Sequence, residues 1–389
     1  MATRPDGLLD EIISRLLPVN DLNMHILEAG DPSLPLVILL HGFPELAYSW
    51  RKVIVPIAQM GFHVVAPDMR GYGQTTSRTA PSFPIRFEDD LGPFRVINIV
   101  RDVVALVFAL GYTSVASIVG HDMGSGVAAL CALIRPAMFR SLVIMSTPFP
   151  GPPPLLFKVD PVKPPPSPLN IFSPEVKVQL AALDPPRKYY VPYFAGEDAN
   201  RDMMNAPRGL HAFIRAYYHM KSADWPLNEP RPLDSPDPAK VAELPHYYMM
   251  PLEATMPQAV EPHAPSADEV AANTWLTERE LAVYVSEYGR TGFQGGLNGY
   301  RAYQPQYFQE LQIFSGQKIE VPAMFLAGKQ DWGVFQIPGA LDRMKSQACS
   351  NLAEEDLVLV DGAGHWVQQE KPERTVLELK RFFAKVSIQ

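Results

Sequence analysis

The chain has 389 residues, a formal net charge of −8 and a hydrophobic content of 47%. These values suit a globular protein with a large core and argue against a general binder of nucleic acid or of anionic membranes. The sequence begins without an apolar signal segment, has no run of eighteen apolar residues, and contains only the cysteines Cys131 and Cys349, so we expect a reducing, cytoplasmic location without stable membrane association.

The first 147 residues alternate between apolar runs and segments with helical spacing. Continuous apolar runs at residues 36–40 and 63–67 are typical of parallel strands that are covered on both faces. Further strands are predicted at residues 24–30, 115–119 and 142–145, and helices at residues 50–60, 97–110 and 127–133. Strands that alternate with helices at this spacing indicate a mostly parallel, doubly wound α/β sheet with right-handed crossovers.

A proline-rich stretch at residues 148–168 interrupts this alternation. Because proline removes a backbone donor and fixes φ, the stretch is typical of a stiff extended connector rather than of a helix or a central strand. Residues 172–301 then show helical spacing and many aromatic side chains, with a second proline-rich interruption at residues 226–265. We interpret this part of the chain as a helical cap, and we expect the second interruption to shape a substrate tunnel.

The α/β pattern returns with predicted strands at residues 321–328 and 357–360 and a last helix at residues 372–383. The sequence therefore predicts one sheet domain with an inserted cap, and not two tandem domains. The predicted division is residues 1–147 for the first part of the core, 148–316 for the cap and 317–389 for the second part of the core.

A sharp turn is predicted directly after the strand at residues 115–119. Residues 120–124 (GHDMG) place a candidate nucleophile, Asp122, between two small residues, which is the pattern of a nucleophile elbow. Both glycines are needed because a Cβ atom there would collide with the neighbouring backbone. An aspartate at such a junction is also a common helix N-cap, but the two glycines after a buried strand favour a nucleophile. We expect His121 to pack beside the site rather than to act as the base.

Three further polar motifs follow predicted strands. Asp331 lies just after the strand that ends at residue 328, His365 lies in a glycine-containing loop after residue 360, and residues 41–44 (HGFP) follow the first long strand. Ligands of open α/β sheets bind outside the carboxyl ends of the strands, so these groups should meet Asp122 at one edge. The alternative interpretations are a turn residue for Asp331 and a structural or surface histidine for His365. The order nucleophile, acid, histidine is nevertheless that of the α/β-hydrolase triad.

An aspartate nucleophile restricts the possible reaction. Attack on an ester or amide carbonyl would give an unfavourable mixed anhydride, whereas attack on an sp³ carbon with a leaving group gives an alkyl ester on Asp122. Water that is deprotonated by His365, with Asp331 holding the imidazole, can then hydrolyse this ester. Backbone N–H groups of Phe43 and Met123 are the expected oxyanion hole. Epoxides and alkyl halides both fit, but only an epoxide oxygen needs a proton donor such as a tyrosine hydroxyl.

Together, residues 41–44, residues 120–125, Asp331 and residues 364–366 (GHW) resemble the soluble epoxide hydrolases of the α/β-hydrolase superfamily. The resemblance covers the chain from about residue 20 onward and implies the microbial type, which has no amino-terminal phosphatase-like domain. The family commonly has tryptophan where this chain has Met123, and haloalkane dehalogenases use the N–H of that tryptophan to bind halide. The methionine therefore counts against a dehalogenase.

Two cap segments extend the resemblance. Residues 292–301 (GFQGGLNGYR) resemble the family segment whose tyrosine, here Tyr300, polarises the epoxide. Residues 189–194 (YYVPYF) resemble the segment with the partner tyrosine, which is assigned to Tyr190 with Tyr189 and Tyr193 as alternatives. Four residues beside these groups are expected to contact the substrate: His41, Pro44, Trp332 and Trp366.

The sequence thus predicts an epoxide hydrolase that forms vicinal diols with water, without a cofactor or a metal, as a monomer or homodimer. One alternative is a haloalkane or haloacid dehalogenase that uses the same aspartate, with His121, Trp225 or Trp275 as halide donors. A second alternative is a non-catalytic ligand-binding protein on a hydrolase fold, although such a protein would need neither the triad nor the tyrosines.

Overall fold

The computed structural model describes residues 2–79, 84–155 and 173–386. The strands are β1 (Ile13–Val19), β2 (Leu22–Ala29), β3 (Leu36–Leu40), β4 (His63–Pro67), β5 (Thr76–Ser77), β6 (Ser117–His121), β7 (Leu142–Met145), β8 (Arg187–Tyr189), β9 (Met249–Pro251), β10 (Ala323–Gly328) and β11 (Leu352–Val360). The helices are α1 (Ile54–Ala58), α2 (Val96–Ala109), α3 (Met123–Ile134), α4 (Pro174–Ala181), α5 (Tyr190–Phe194), α6 (Asp198–Met204), α7 (Gly209–Lys221), α8 (Pro238–Val241), α9 (Met256–Val260), α10 (Ala267–Ala272), α11 (Glu278–Thr291), α12 (Gln294–Ala302), α13 (Pro305–Phe308), α14 (Ala340–Arg343), α15 (Val367–Glu370) and α16 (Pro372–Lys385).

The described strands form a 9-stranded sheet in the order β1-β2-β4-β3-β6-β7-β10-β11, with β5 paired to β2. β1, β2 and β4 pair antiparallel, and every neighbouring pair from β4 to β11 is parallel. The prediction of a mostly parallel α/β sheet is therefore confirmed. The parallel strands end at the same edge, where the polar motifs of the sequence are collected.

Two apolar layers cover the central strands. Alternate residues of a strand point to opposite faces, so Val37 and Leu39 share one buried cluster with α1 and α16, while Ile38 and Leu40 belong to the cluster of α2 and α3. Buried residues of the helices between β7 and β10 join this second cluster. The core and these helices thus share a continuous apolar interior.

Helices α4 to α13 and the small antiparallel pair β8–β9 lie in the chain between β7 and β10. The short β8–β9 pair, which includes Met249–Pro251, was not expected within the second proline-rich interruption. The exact boundaries of the predicted cap stay a prediction. Most of the predicted proline connector, from residue 156 to residue 168, lies outside the described residues, as does residue 172 at the predicted start of the helical region.

The helix predicted at residues 50–60 is wrong in its extent. Only Ile54–Ala58 is α-helical, and a 3₁₀ turn at Ala47–Trp50 precedes it. Pro56 has no N–H to donate and is tolerated in the first turn of a helix, so the α-helix can begin only shortly before it. Gly61 follows with a φ of 97° and turns the chain into β4.

Strand β1 was not predicted, because its sequence lacks regular apolar alternation and contains Pro18. As an edge strand, β1 pairs with a neighbour on one side only. A proline is tolerated where its missing N–H would point to the unpaired side. None of the helices in the described ranges is long and apolar enough to cross a membrane.

Candidate active site

The turn between β6 and α3 holds Asp122 in an unusual backbone conformation. Asp122 has φ 52° and ψ −119°, and positive φ is uncommon for a residue with a side chain. A Cβ on Gly120 would lie 2.1 Å from the carbonyl oxygen of Gly124, and one on Gly124 would lie 2.5 Å from that of Leu40. Both glycines are therefore required by close backbone packing. Asp122 precedes α3 directly, but its side chain does not cap the helix.

The carboxylate of Asp122 instead faces two groups from other strand ends. The backbone N–H of Phe43 donates to Oδ1 at 3.0 Å, and Nε2 of His365 lies 3.3 Å from Oδ2. Burial raises the pKa of Asp122, but the imidazole of His365 and the charges of Lys221 and His121 outweigh it, so the pKa lies well below its usual value. The carboxylate is therefore ionised at neutral pH. Met123 supplies the first N–H of α3, which has no acceptor within the helix.

The imidazole of His365 is held from its other nitrogen by a buried acid. Its Nδ1 lies 3.1 and 3.2 Å from the two carboxylate oxygens of Asp331 and 2.7 Å from Oγ of Ser146. The Ser146 hydroxyl donates to Asp331, and so does the backbone N–H of Gly333 at 2.7 Å. Burial raises the pKa of Asp331, but His365 and these donors keep it below its ordinary value. The arrangement leaves Nε2 of His365 directed toward Asp122.

A second buried pair lies beside this triad. Nδ1 of His121 is 2.5 Å from a carboxylate oxygen of Glu45, and its Nε2 is 2.7 Å from the backbone carbonyl of His365. Amide groups of Gln368 and Gln369 donate to the other oxygen of Glu45. Burial lowers the pKa of His121, but Glu45 raises it more. The imidazole of His121 therefore supports the His365 loop.

Two buried tyrosines from the segment between β7 and β10 pack against each other, and the charge of Asp122 acts on both. Tyr190 opens α5 and Tyr300 lies on α12, and their ring centres are 5.9 Å apart in an edge-to-face contact. Burial, together with the charge of Asp122, raises the pKa of each hydroxyl well above its ordinary value. Both are therefore neutral proton donors at neutral pH. A third tyrosine, Tyr217, is fully buried on α7, and its hydroxyl has no hydrogen-bond partner among the described residues.

The hydrogen bonds distinguish the three candidates for the second tyrosine. The Tyr193 hydroxyl donates to Asp202 at 3.0 Å and is thus engaged elsewhere in the cap. The side-chain amide of Gln336 donates to the hydroxyl oxygens of Tyr189 at 2.6 Å and Tyr190 at 3.1 Å. Of the three, only Tyr190 also has its ring against Tyr300. Because Gln336 donates to it, the proton of Tyr190 remains free to be donated.

The four predicted substrate contacts lie in different surroundings. His41 and Trp366 are fully buried and paired within the protein: His41 accepts from the backbone N–H of Met69, and Trp366 donates its indole N–H to the carbonyl of Tyr218. These contacts are typical of residues that hold a site in place and do not themselves touch a substrate. The carbonyl of Pro44 accepts the Tyr218 hydroxyl. The buried indole N–H of Trp332 has no partner in the described residues. Direct substrate contact by any of the four stays a prediction.

Glu370 joins the cap to the loop of His365. Its carboxylate accepts backbone N–H groups of Gly364 and Trp366, on either side of His365, and of Ala223, just after α7. Burial raises the pKa of Glu370 to about 7, against the effect of these three donors. The position of His365 therefore depends on the cap as well as on the sheet.

Several of these residues were missed by reasoning from the sequence. Ser146 directly follows β7 and could have been found by the strand-end rule that identified Asp331. The others carry no local signal, because their contacts join segments far apart in the chain; they are Tyr217, Lys221, Gln336 and Glu370. In the described part of the chain, no group of three or more His, Cys, Asp or Glu could hold a metal ion.

Comparison with known proteins supplies independent information. Residues 35–167 match the family model of the alpha/beta hydrolase fold. The chain is 30% identical to Epoxide hydrolase A of Mycobacterium tuberculosis, over 95% of this chain and 96% of the relative. It is 29% identical to Epoxide hydrolase 2 of Siraitia grosvenorii, over 94% and 96%. The solved structure of an epoxide hydrolase from an endophytic Streptomyces matches with a TM-score of 0.75 and 25% identity, covering 97% of each chain.

Proposed function

This chain belongs to the epoxide hydrolases of the α/β-hydrolase superfamily, and from that premise we propose that it hydrolyses epoxides to vicinal diols through a covalent ester on Asp122. The observation that carries the proposal is the pairing of an aspartate at the elbow with a histidine whose Nε2 lies 3.3 Å from its carboxylate. Such a pair suits attack on an sp³ carbon followed by ester hydrolysis.

In the first step, Oδ2 of Asp122 attacks a ring carbon and the carbon–oxygen bond of the epoxide breaks. Oδ2 is the better nucleophile, because Oδ1 accepts the N–H of Phe43. The breaking bond leaves an alkoxide, which takes a proton from Tyr190 or Tyr300. The raised pKa values of both hydroxyls keep these protons in place until the alkoxide, a stronger base, forms.

In the second step, Nε2 of His365 takes a proton from a water whose oxygen attacks Cγ of Asp122. The negative charge collects on Oδ1, where the N–H of Phe43 already lies and the N–H of Met123 is the second donor. The bond between Cγ and the alkyl oxygen then breaks, and this oxygen takes the proton from His365 to complete the diol. The remaining hydroxyl proton on the Asp122 carboxyl returns to the tyrosinate formed in the first step, so the carboxylate and the tyrosine are both restored. Asp331 and Ser146 hold Nδ1 and thus the orientation of the imidazole.

The dehalogenase alternative has less support. Two of its three candidate halide donors are engaged, since His121 contacts Glu45 and the His365 carbonyl, and the indole N–H of Trp275 donates to Asp224. A non-catalytic binding protein would not need the contacts that hold His365 toward Asp122.

The test uses His365→Gln, which keeps an amide in place of the imidazole but cannot activate water. The protein is incubated with styrene oxide, and separately with 1-bromobutane, and its intact mass is measured before the modified peptide is mapped. We expect an adduct of the whole epoxide mass on the peptide that contains Asp122. The double variant with Asp122→Ala is the matched control and should stay unmodified.

An alkyl adduct from the bromoalkane with none from the epoxide would replace the proposal with the dehalogenase. If neither compound modifies His365→Gln, and the wild-type protein converts no member of an epoxide panel to a diol, the proposal is wrong.

A further inference from the structure

Lys221, the last residue of α7, carries a buried ammonium group that the mechanism above does not use. The residue is 3% exposed. Its Nζ lies 5.0 Å from the ring centre of Tyr248, 5.4 Å from those of Tyr217 and Trp366, and 5.8 Å from that of Tyr247. No hydrogen bond or ion pair of Nζ exists within the described residues. Lysine is almost never fully buried unless it is paired, so this position needs an explanation.

The aromatic rings explain how the charge is tolerated. The negative faces of aromatic rings attract a cation, most strongly when water is excluded. Four rings around one ammonium can therefore stabilise the charge without a carboxylate in contact with it. A contacting carboxylate would cancel most of the field of the ammonium, whereas neutral rings leave that field to act on other groups.

The groups on which this field acts are the acids of the site. Burial lowers the pKa of Lys221, and the carboxylates of Asp122, Asp331 and Glu45 oppose that shift. In return, Lys221 is among the charges that hold the pKa of Asp122 low. The backbone carbonyl of Lys221 also accepts the N–H of His365 at 2.8 Å, so the residue is fixed directly beside the base.

We propose that Lys221 is a positioning residue for the second step, whose ammonium favours the return of negative charge to Asp122 when the ester is hydrolysed. The inference rests on the proposed function. In the first step, negative charge leaves Asp122 for the epoxide oxygen, so a cation near Asp122 does not assist. In the second step, water adds to Cγ, its proton passes to Nε2 of His365, and the electron pair of the carbonyl moves to the Asp122 oxygen, where the cation stabilises it.

The test is Lys221→Met, which keeps an unbranched apolar side chain for the aromatic cage and removes the charge. Formation and decay of the ester are followed separately in rapid-mixing experiments with styrene oxide. We expect ester formation to be unchanged or faster and ester hydrolysis to be slower by about tenfold, the scale of one charge acting at several ångströms. Because the ester is formed as before but hydrolysed more slowly, kcat and KM should fall by the same factor. The ratio kcat/KM should stay unchanged.

Two further variants separate charge from packing. Lys221→Arg keeps the charge and should restore much of the hydrolysis rate. Lys188→Met is the matched control, since Nζ of Lys188 lies 4.9 Å from the ring centre of Tyr193 in the same cap, and the charges that act on it are those of Glu253 and Asp202. It should change neither step. If Lys221→Met does not fold, Lys221→Gln takes its place in the comparison.

An unchanged hydrolysis rate in the uncharged variant, or an arginine variant as slow as the methionine one, would overturn the inference. So would an equal fall in both steps. These results differ from failure of the proposed function, in which His365→Gln would form no ester on Asp122 at all.

Discussion

Asp331 is expected to act in one step of the proposed reaction, the hydrolysis of the ester on Asp122. Asp331 is buried, and its carboxylate lies 3.1 Å from Nδ1 of His365. Asp331→Asn keeps the size of the side chain and removes its charge. In the proposed mechanism the first step does not use His365, so ester formation should stay near the wild-type rate. Hydrolysis would pass through an imidazolium that has lost its charged partner.

The size of the effect follows from the geometry. Two unit charges about 4 Å apart at an effective dielectric constant of about 20 attract by about 4 kcal/mol. At 1.36 kcal/mol for each factor of ten, hydrolysis should slow roughly a thousandfold. The ester would then accumulate in the first turnover and dominate the intact mass spectrum during steady state.

The assay is rapid mixing with styrene oxide, followed by quenching and intact mass measurement over time. Asp361→Asn is the matched control, because Asp361 is also in the loop region after β11 but pairs with Lys329 at the surface. It should behave as wild type. If Asp331→Asn slows both steps equally, or slows hydrolysis less than tenfold, Asp331 does not act by stabilising the imidazolium.

Further predictions concern other contacts of the site and the core. Tyr300→Phe should slow ester formation about tenfold to a hundredfold and leave ester hydrolysis unchanged. Tyr193→Phe, the control, should leave both rates unchanged. Equal rates of ester formation in Tyr300→Phe and wild type would remove Tyr300 from the mechanism. Ser146→Ala should slow hydrolysis about tenfold, the value of one lost hydrogen bond to a charged group, and a single-turnover decay at the wild-type rate would argue against that contact. Burial raises the pKa of Asp68, but His25 brings it down to about 2. The unfolded chain therefore binds more protons near pH 3, so the free energy of unfolding should fall by about 2 kcal/mol between pH 5 and pH 2, and denaturant titrations should show a smaller fall in Asp68→Asn.

Hydrogen bonds connect the cap to residues that the proposed mechanism uses. Glu370 and the carbonyl of Lys221 both connect the end of α7 to the loop of His365, and Gln336 connects the core to the hydroxyl of Tyr190. Movement of the cap would therefore disturb the base and the proton donors together. A change that shifts the cap as a whole is therefore expected to alter both steps, unlike changes to the side chains of Asp331 or Lys221.

Much of the fold could be predicted from local pattern. Buried parallel strands such as Leu36–Leu40 and His63–Pro67 are continuous apolar runs, and the elbow is specified by two glycines around Asp122. The extent of the helix at Ile54–Ala58 was predicted wrongly, because the effect of Pro56 on the helix start outweighed the apolar spacing. The edge strand Ile13–Val19 was missed because an edge strand is only partly buried and has little pattern.

By itself, the sequence determined the sheet, the strand ends at which polar groups gather, and the aspartate that limits the chemistry. Each of these depends on neighbours within a few residues. Only the tertiary structure decided which tyrosine faces Tyr300, that Ser146 completes the contacts of His365, and that Lys221 is buried among aromatic rings. These features depend on contacts between segments that are distant in the chain, and burial, which sets the strength of charges and the pKa of each hydroxyl, exists only once those segments have packed together.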